Sequence, residues 1–146
     1  MSTLYMLIGI PGSGKSTWAN ENAGIRNAII VSSDEIRREL YGDPSIQGNK
    51  TQVFEALHKK VKSLLESGHN VIFDATNIYR RRRCETLRMY RNYENIAVYF
   101  CTPFDECVRR NAGRDRVVPD EVITRMNDQM EPPELREGFK MIYRIR

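Results

Sequence analysis

Leu4-Tyr5-Met6-Leu7-Ile8-Gly9-Ile10-Pro11-Gly12-Ser13-Gly14-Lys15-Ser16 is the stretch that decides the fold. The first five residues form a short apolar run that stops at a glycine, which reads as a buried strand. Gly9 to Ser16 then fits the pattern G-x-x-x-x-G-K-[ST]. A strand, a glycine-rich turn and a helix in this order let successive backbone N–H groups converge on an anion. The helix that starts near Gly14 adds the positive end of its dipole. In such a loop Gly12, Ser13, Gly14 and Thr17 belong to the phosphate-binding set, Lys15 bridges the β- and γ-phosphates, and Ser16 ligates Mg²⁺. A turn that only joined a strand to a helix would need neither the placed glycines nor the Lys-Ser pair.

The chain has 146 residues, enough for one domain with a substantial core and too few for a second catalytic unit. With 40% hydrophobic and 29% charged residues it is globular in composition. No apolar run is long enough to span a membrane and the first strand lacks the basic flank of a signal peptide, so the expected location is the cytoplasm. Cys84, Cys101 and Cys107 form no C-x-x-C pair, which predicts free or buried thiols rather than disulfides or a metal site. The net charge is +4, and 17 arginines against 6 lysines carry the positive side. The planar guanidinium matches phosphate oxygens in pairs, so this bias suits phosphate-rich ligands; a surface cation preference would give the same composition.

Strand-like and helix-like stretches alternate along the chain. Helices are predicted over Ser16–Ala23, Asp34–Leu40 with Ser33 as its N-cap, Lys50–Ser67, Tyr79–Asn92, Phe104–Ala112 and Pro119–Met130. Between them lie strands at Ala28–Val31, Asn70–Phe73 and Ile96–Cys101, and Met141–Ile145 closes the chain. This alternation predicts an α/β fold, a parallel sheet with helices on both faces and ligands at the carboxyl ends of its strands.

Two acids fall at such ends. Asp34 follows the second strand, where it could take a proton from an acceptor hydroxyl, with Arg37 one turn along to hold a phosphate; a first-turn acid stabilising its helix dipole reads the same way. Asp74 ends Val71-Ile72-Phe73 in the Walker-B manner, a carboxylate that orients Mg²⁺ or its waters, unless it only forms an Asx turn. Neither histidine competes for the base role, since His58 falls mid-helix and His69 in a turn.

Two basic segments complete the pattern. Arg80 to Arg83 begin a helix, where the dipole disfavours cations; the run either grips a nucleic-acid backbone at the edge of the site or forms a solvated face. Arg110, Arg114 and Arg116 bracket Gly113, a spacing that fits a hinged lid carrying arginines over the phosphates better than an ordinary loop.

Taken together, Gly-Ile-Pro-Gly-Ser-Gly-Lys-Ser-Thr-Trp, Ser-Ser-Asp-Glu-Ile-Arg, Phe-Asp-Ala-Thr-Asn followed by arginines, and Val108-Arg109-Arg110-Asn111-Ala112-Gly113-Arg114 before Val118-Pro119 resemble the kinase domain of phage-type polynucleotide 5′-hydroxyl kinases. The resemblance runs in order over about residues 4–130 and implies an adenylate-kinase-like P-loop fold with a five-stranded parallel sheet of order 2-3-1-4-5. It implies Lys15 and Ser16 at the ATP phosphates and Mg²⁺, Asp34 as general base, Arg37 near the acceptor phosphate, Asp74 as an active-site acid, and Arg110 and Arg114 as lid arginines on the donor phosphates. The Asp-x-Asp-Gly-Thr phosphatase signature of the best-known members is absent, and the end of the chain is similar to the stand-alone kinases of the superfamily.

The reading is therefore a single kinase domain over 1–146, with a lid at about 110–119, that uses ATP and Mg²⁺ to phosphorylate the 5′-hydroxyl of a polynucleotide. A kinase of a small-molecule hydroxyl (nucleoside, sugar or metabolite) and a nucleotide-hydrolysing switch are the alternatives. An Asn-Lys-x-Asp guanine motif is absent.

Overall fold

In a computed structural model, which describes all 146 residues, β1 (Thr3–Ile8) is buried along its whole length at the centre of the sheet. Its side chains alternate between two layers. Leu4, Met6 and Ile8 enter one core with Val31, Val71 and Phe73, while Tyr5 and Leu7 enter the other with Trp18, Ile72, Val98 and Phe100. A strand covered on both faces must be apolar throughout, which is why the run reads as continuous rather than alternating.

The remaining elements are α1 (Lys15–Asn22), β2 (Ala28–Ser32), α2 (Ser33–Tyr41), α3 (Lys50–Glu66), β3 (Asn70–Asp74), α4 (Arg80–Met89), β4 (Glu94–Phe100), α5 (Phe104–Ala112), α6 (Asp120–Gln129), a 3₁₀ turn at Leu135–Glu137, and β5 (Met141–Ile145). All strand pairs are parallel and the order is β2-β3-β1-β4-β5, as the resemblance implies. The apolar stripe of α3, Val53, Leu57, Val61 and Leu65, packs onto the first core.

Besides shifts of one or two residues at other element ends, such as β4 running over Glu94–Phe100 rather than Ile96–Cys101, three details differ from the sequence expectations. The N-cap of α2 is Ser32, not Ser33: Ser32 keeps extended backbone at the end of β2 and its Oγ accepts the Glu35 N–H at 3.4 Å, so the helix starts one residue earlier. Helix α4 stops at Met89 instead of Asn92, because Tyr90 leaves helical geometry and the Asn95 amide takes its carbonyl at 3.0 Å. The 3₁₀ turn after Pro132-Pro133 lay hidden in a polar stretch; reciprocal Glu134 and Glu137 side-chain bonds close it.

Register carries the loops of β1, β2 and β3 to one edge. Ser32 pairs with Asp74, Thr76 C=O accepts the Gly9 N–H at 3.0 Å, and the Asn77 amide donates to Leu7 C=O at 2.8 Å. The phosphate-loop stretch and the two acids therefore open on the same face of the sheet.

Candidate active site

The loop at Gly9 to Ser16 is shaped by what its glycines avoid. Gly12 has φ +82°, and a Cβ there would fall 2.2 Å from the Cys107 carbonyl of α5. Both facts demand glycine. Gly14, at φ +102°, turns the chain into α1. The first backbone bond of α1 runs from Trp18 N–H to Gly14 C=O, and no side chain caps the turn, so the N–H groups of Lys15, Ser16 and Thr17 have no protein partner. The buried Ser13 Oγ has none either, while Ser13 C=O accepts from Thr102 Oγ1 at 2.8 Å. A set of convergent donors at a helix N-terminus fits phosphate oxygens.

Lys15 curls back, its Nζ donating to Ile10 C=O at 2.9 Å. Burial pushes its ammonium down to about 8, against the opposing pull of the Asp74 carboxylate. Ser16 Oγ donates to Asp74 Oδ2 at 3.1 Å. Burial raises the Asp74 carboxyl, and the Lys15 charge and the Ser16 hydroxyl act the other way. Hydroxyl and carboxylate are hard oxygen donors, and no group of three or more His, Cys, Asp or Glu surrounds them. Two protein oxygens fit Mg²⁺, which keeps several waters and takes further ligands from substrate phosphates.

Across the opening, Asp34 in the first turn of α2 is held by two guanidinium groups. Arg37, one turn on, bonds it at 2.5 Å, and Arg116 from the loop at 113–119 reaches it at 3.1 Å. Arg37 also donates to Pro44 C=O at 3.1 Å, which ties α2 to the following loop. Nothing in the spacing of the sequence signals the Arg116 contact, which crosses 82 residues.

Arg114 is half-buried, lines the opening, and has neither an ion pair nor a hydrogen bond from its guanidinium. Arg110 pairs with Glu106 at 3.2 Å, and its Nη1 lies 3.4 Å from where a Gly14 Cβ would be. The loop between α5 and α6 is pinned by Asn111, fully buried, whose amide donates to Val118 C=O at 2.7 Å and accepts its N–H at 3.1 Å. Gly113 has φ −95°, an ordinary value, so the expected hinge draws nothing special from its glycine.

The arginine run separates into different tasks. Arg83 is fully buried and bonds Glu137 through Nε at 2.8 Å and Nη2 at 3.1 Å, with Nη1 on Asn77 C=O at 2.9 Å. Arg80 pairs with Glu131, Glu134 and Glu137, and the Glu131 carboxylate accepts the Arg80 N–H at the start of α4. These acids answer the dipole cost of cations at a helix start. Two members of the run are thus structural, which narrows the backbone-gripping reading to Arg81 and Arg82.

Phosphate loop, both acids and Arg37, Arg110, Arg114 and Arg116 line one cavity of about 1290 Å³. It also reaches Phe54, His58, Phe73 and Arg82, a lobe that sequence reasoning passed over because His58 and its neighbours look like helix core.

Against known families, the model described as "AAA domain" matches residues 4–133. The chain belongs to this family. Among curated proteins it is similar to the L-seryl-tRNA(Sec) kinase of Methanococcus maripaludis, 27% identical over 143 residues that cover 89% of this chain and 53% of the relative. A chain from a structure of the Pnkp1/Rnl/Hen1 RNA repair complex superposes with a TM-score of 0.79 at 27% identity, over 88% of this chain and 43% of that one. Kti12 of Chaetomium thermophilum in complex with ADP-AlF3 shares the fold, with a TM-score of 0.77 at 17% identity and coverage of 97% and 88%. The chain spans about half, or less, of the length of the curated relatives it matches. Its fold is the P-loop kinase fold. No helix is long and apolar enough to cross a membrane.

Proposed function

We propose that residues 1–146 act as one kinase domain that transfers the γ-phosphate of ATP to the 5′-hydroxyl of a polynucleotide, with the segment at about 110–119 as its lid. The observation that carries this reading is the shared cavity: a phosphate loop with unpartnered N–H groups at one end, and at the other a carboxylate, Asp34, flanked by Arg37 and Arg116. Hydrolysis alone would not need this second, cation-lined end. The similarity to a kinase of seryl-tRNA and to a chain of an RNA repair complex supports a nucleic-acid acceptor over a small metabolite.

In this account Gly12 to Thr17 hold the donor phosphates, and Lys15 and the lid arginines Arg110 and Arg114 neutralise the charge that spreads over the γ-phosphoryl oxygens. Ser16 and Asp74 would hold Mg²⁺, which supplies charge neutralisation at the β- and γ-oxygens when bound. The acceptor hydroxyl oxygen forms a bond to the γ-phosphorus as the bond to the bridging oxygen breaks. Its proton passes to Asp34 Oδ, ADP leaves, and Arg37 steadies a phosphate of the acceptor strand. The work is positioning and electrostatics, since phosphoryl transfer asks little covalent chemistry of the protein. The cytoplasm is the compartment that suits such a donor.

The test is transfer of label from γ-labelled ATP to a DNA or RNA oligonucleotide with a free 5′-hydroxyl, set beside a panel of nucleosides, sugars and other metabolites. Label on the 5′ end supports the reading. Turnover only on a small molecule, or release of phosphate with no acceptor, refutes it.

A further inference from the structure

The main cavity does not end at the two acids. It also reaches α3 and α4, where it adjoins a recess of about 220 Å³ lined by Lys50, Thr51, Phe54, Arg82 and Glu85. Lys50, Phe54 and Arg82 line both spaces. The loop whose Pro44 C=O takes a bond from Arg37 leads into Lys50 at the start of α3, which ties the recess to the end of the cavity where Asp34 lies.

Two cations of the recess are uncommitted. Lys50 and Arg82 have neither an ion pair nor a side-chain hydrogen bond, whereas Arg80, Arg81 and Arg83 of the same run are each paired with a glutamate. Arg81 lines neither space, so of the two arginines left to grip a backbone only Arg82 faces the site. Its guanidinium rests 5.6 Å from the centre of the Phe54 ring. A ring face attracts the cation without using its N–H groups, so the donors stay available on a side chain that is already held in place.

Glu85 is the one acid of the recess, and Arg81 Nε, 3.7 Å away, partly offsets its charge. Lys50 and Arg82 converge from two helices on one small space, where like charges repel each other. A phosphate between them turns that repulsion into attraction.

Building on the polynucleotide reading above, we propose that this recess is the exit track of the acceptor strand: Lys50 and Arg82 hold a phosphate downstream of the nucleotide whose 5′-hydroxyl reacts, so the strand leaves the site between α3 and α4. The planar fork of Arg82 suits two phosphate oxygens, Lys50 supplies a point charge, and the Thr51 hydroxyl lies beside them as a further donor. Contacts to phosphate position a strand without reading its sequence, so the track accepts any bases. A nucleoside or a sugar has no phosphate to place there, and the pair therefore favours a polymer over a small acceptor.

The test measures kcat/KM across a range of salt for a nucleoside 3′-monophosphate and for a hexanucleotide, each with a free 5′-hydroxyl. The wild type should prefer the hexanucleotide by about 10-fold at low salt, since one exposed cation–phosphate contact contributes up to about fivefold. Lys50→Gln and Arg82→Gln should each cut that preference by roughly threefold and flatten the dependence of log kcat/KM on log salt for the hexanucleotide by about 0.7. Lys50→Arg keeps the charge and should keep the preference. Arg88→Gln removes the same charge from the last turn of α4 and should keep it too. Because the readout is a ratio of two substrates, damage to folding, which lowers both alike, does not imitate it. No preference in the wild type, a preference undiminished in either Lys50→Gln or Arg82→Gln, a salt slope unmoved by them, or an equal loss in Lys50→Arg or Arg88→Gln overturns the track and leaves the kinase reading standing. Label on neither acceptor overturns both.

Discussion

Arg116 Nη1 stands 3.1 Å from Asp34 Oδ1 and 3.4 Å from Oδ2, a clasp between the loop at 113–119 and the first turn of α2. With Arg37 on the same carboxylate, the lone pairs that would receive the acceptor proton are held by two guanidinium groups. The clasp ties the loop to α2 across 82 residues of chain.

Arg116→Gln should loosen the loop in the free protein. The pair is a quarter to a third exposed, so it contributes about 1 kcal/mol or less. Hydrogen exchange at amides 113–118 should then speed up by up to about fivefold, with Val118 N–H least affected because Asn111 holds it. Unchanged exchange across the segment would mean that the clasp does not order it.

Asp74→Asn should raise the Mg²⁺ concentration for half-maximal turnover by roughly tenfold, since the amide keeps the shape of the group and loses its charge. Ser16→Ala should act on the same ion, and the double variant should fall short of the product of the two single effects. A magnesium titration of turnover checks this, and independent multiplicative effects would separate Ser16 from Asp74.

The buried pair of Arg83 and Glu137, 0% and 1% exposed, should be among the costliest to break. Burial alone would raise the Glu137 carboxyl, but the Arg83 guanidinium, the Glu134 N–H and Arg80 outweigh it and hold it below the usual range. Glu137→Ala leaves a buried guanidinium unpaired and should cost about 3–5 kcal/mol, a fall in Tm of roughly 10 °C. Arg81→Gln, at a 93% exposed side chain, should shift Tm hardly at all. Calorimetric Tm values for the two variants check the contrast, and equal shifts would contradict it.

This split within four consecutive arginines marks where sequence reading stops. Strand, loop and helix at Leu4 to Asn22 were legible because their pattern is local: apolar run, glycines, lysine and serine. The sheet order followed from the resemblance those motifs support, and the acids from their position after apolar strands. Arg83 and Arg81 look alike in sequence, yet one is core and the other solvent-exposed, because a glutamate 54 residues on and a 3₁₀ turn decide the difference. The Arg116 clasp and the contact of His58 with Tyr90 are likewise pairings across distance, which periodicity does not carry.

His58 gives a pH signature of stability. Burial, with the Arg82 charge adding to it, lowers its imidazole from 6.5 to about 4. Above about pH 6.5 neither folded nor unfolded chain protonates it and the full stability is present. As pH falls below 6.5 the unfolded chain takes up a proton that the folded chain refuses, so stability falls by about 2 kcal/mol by pH 5. Urea midpoints between pH 7 and 5 should decline for the wild type and stay nearly flat for His58→Gln. Parallel curves would contradict the assignment.

The central claim, that Asp34 takes the proton of a 5′-hydroxyl as the γ-phosphate of ATP moves to it, is tested most directly by single-turnover transfer from γ-labelled ATP to a 5′-hydroxyl oligonucleotide with wild type and Asp34→Asn. The account predicts that the variant binds ATP within about twofold of wild type and transfers label about 10²–10⁴-fold more slowly. Transfer by Asp34→Asn at the wild-type rate would contradict it.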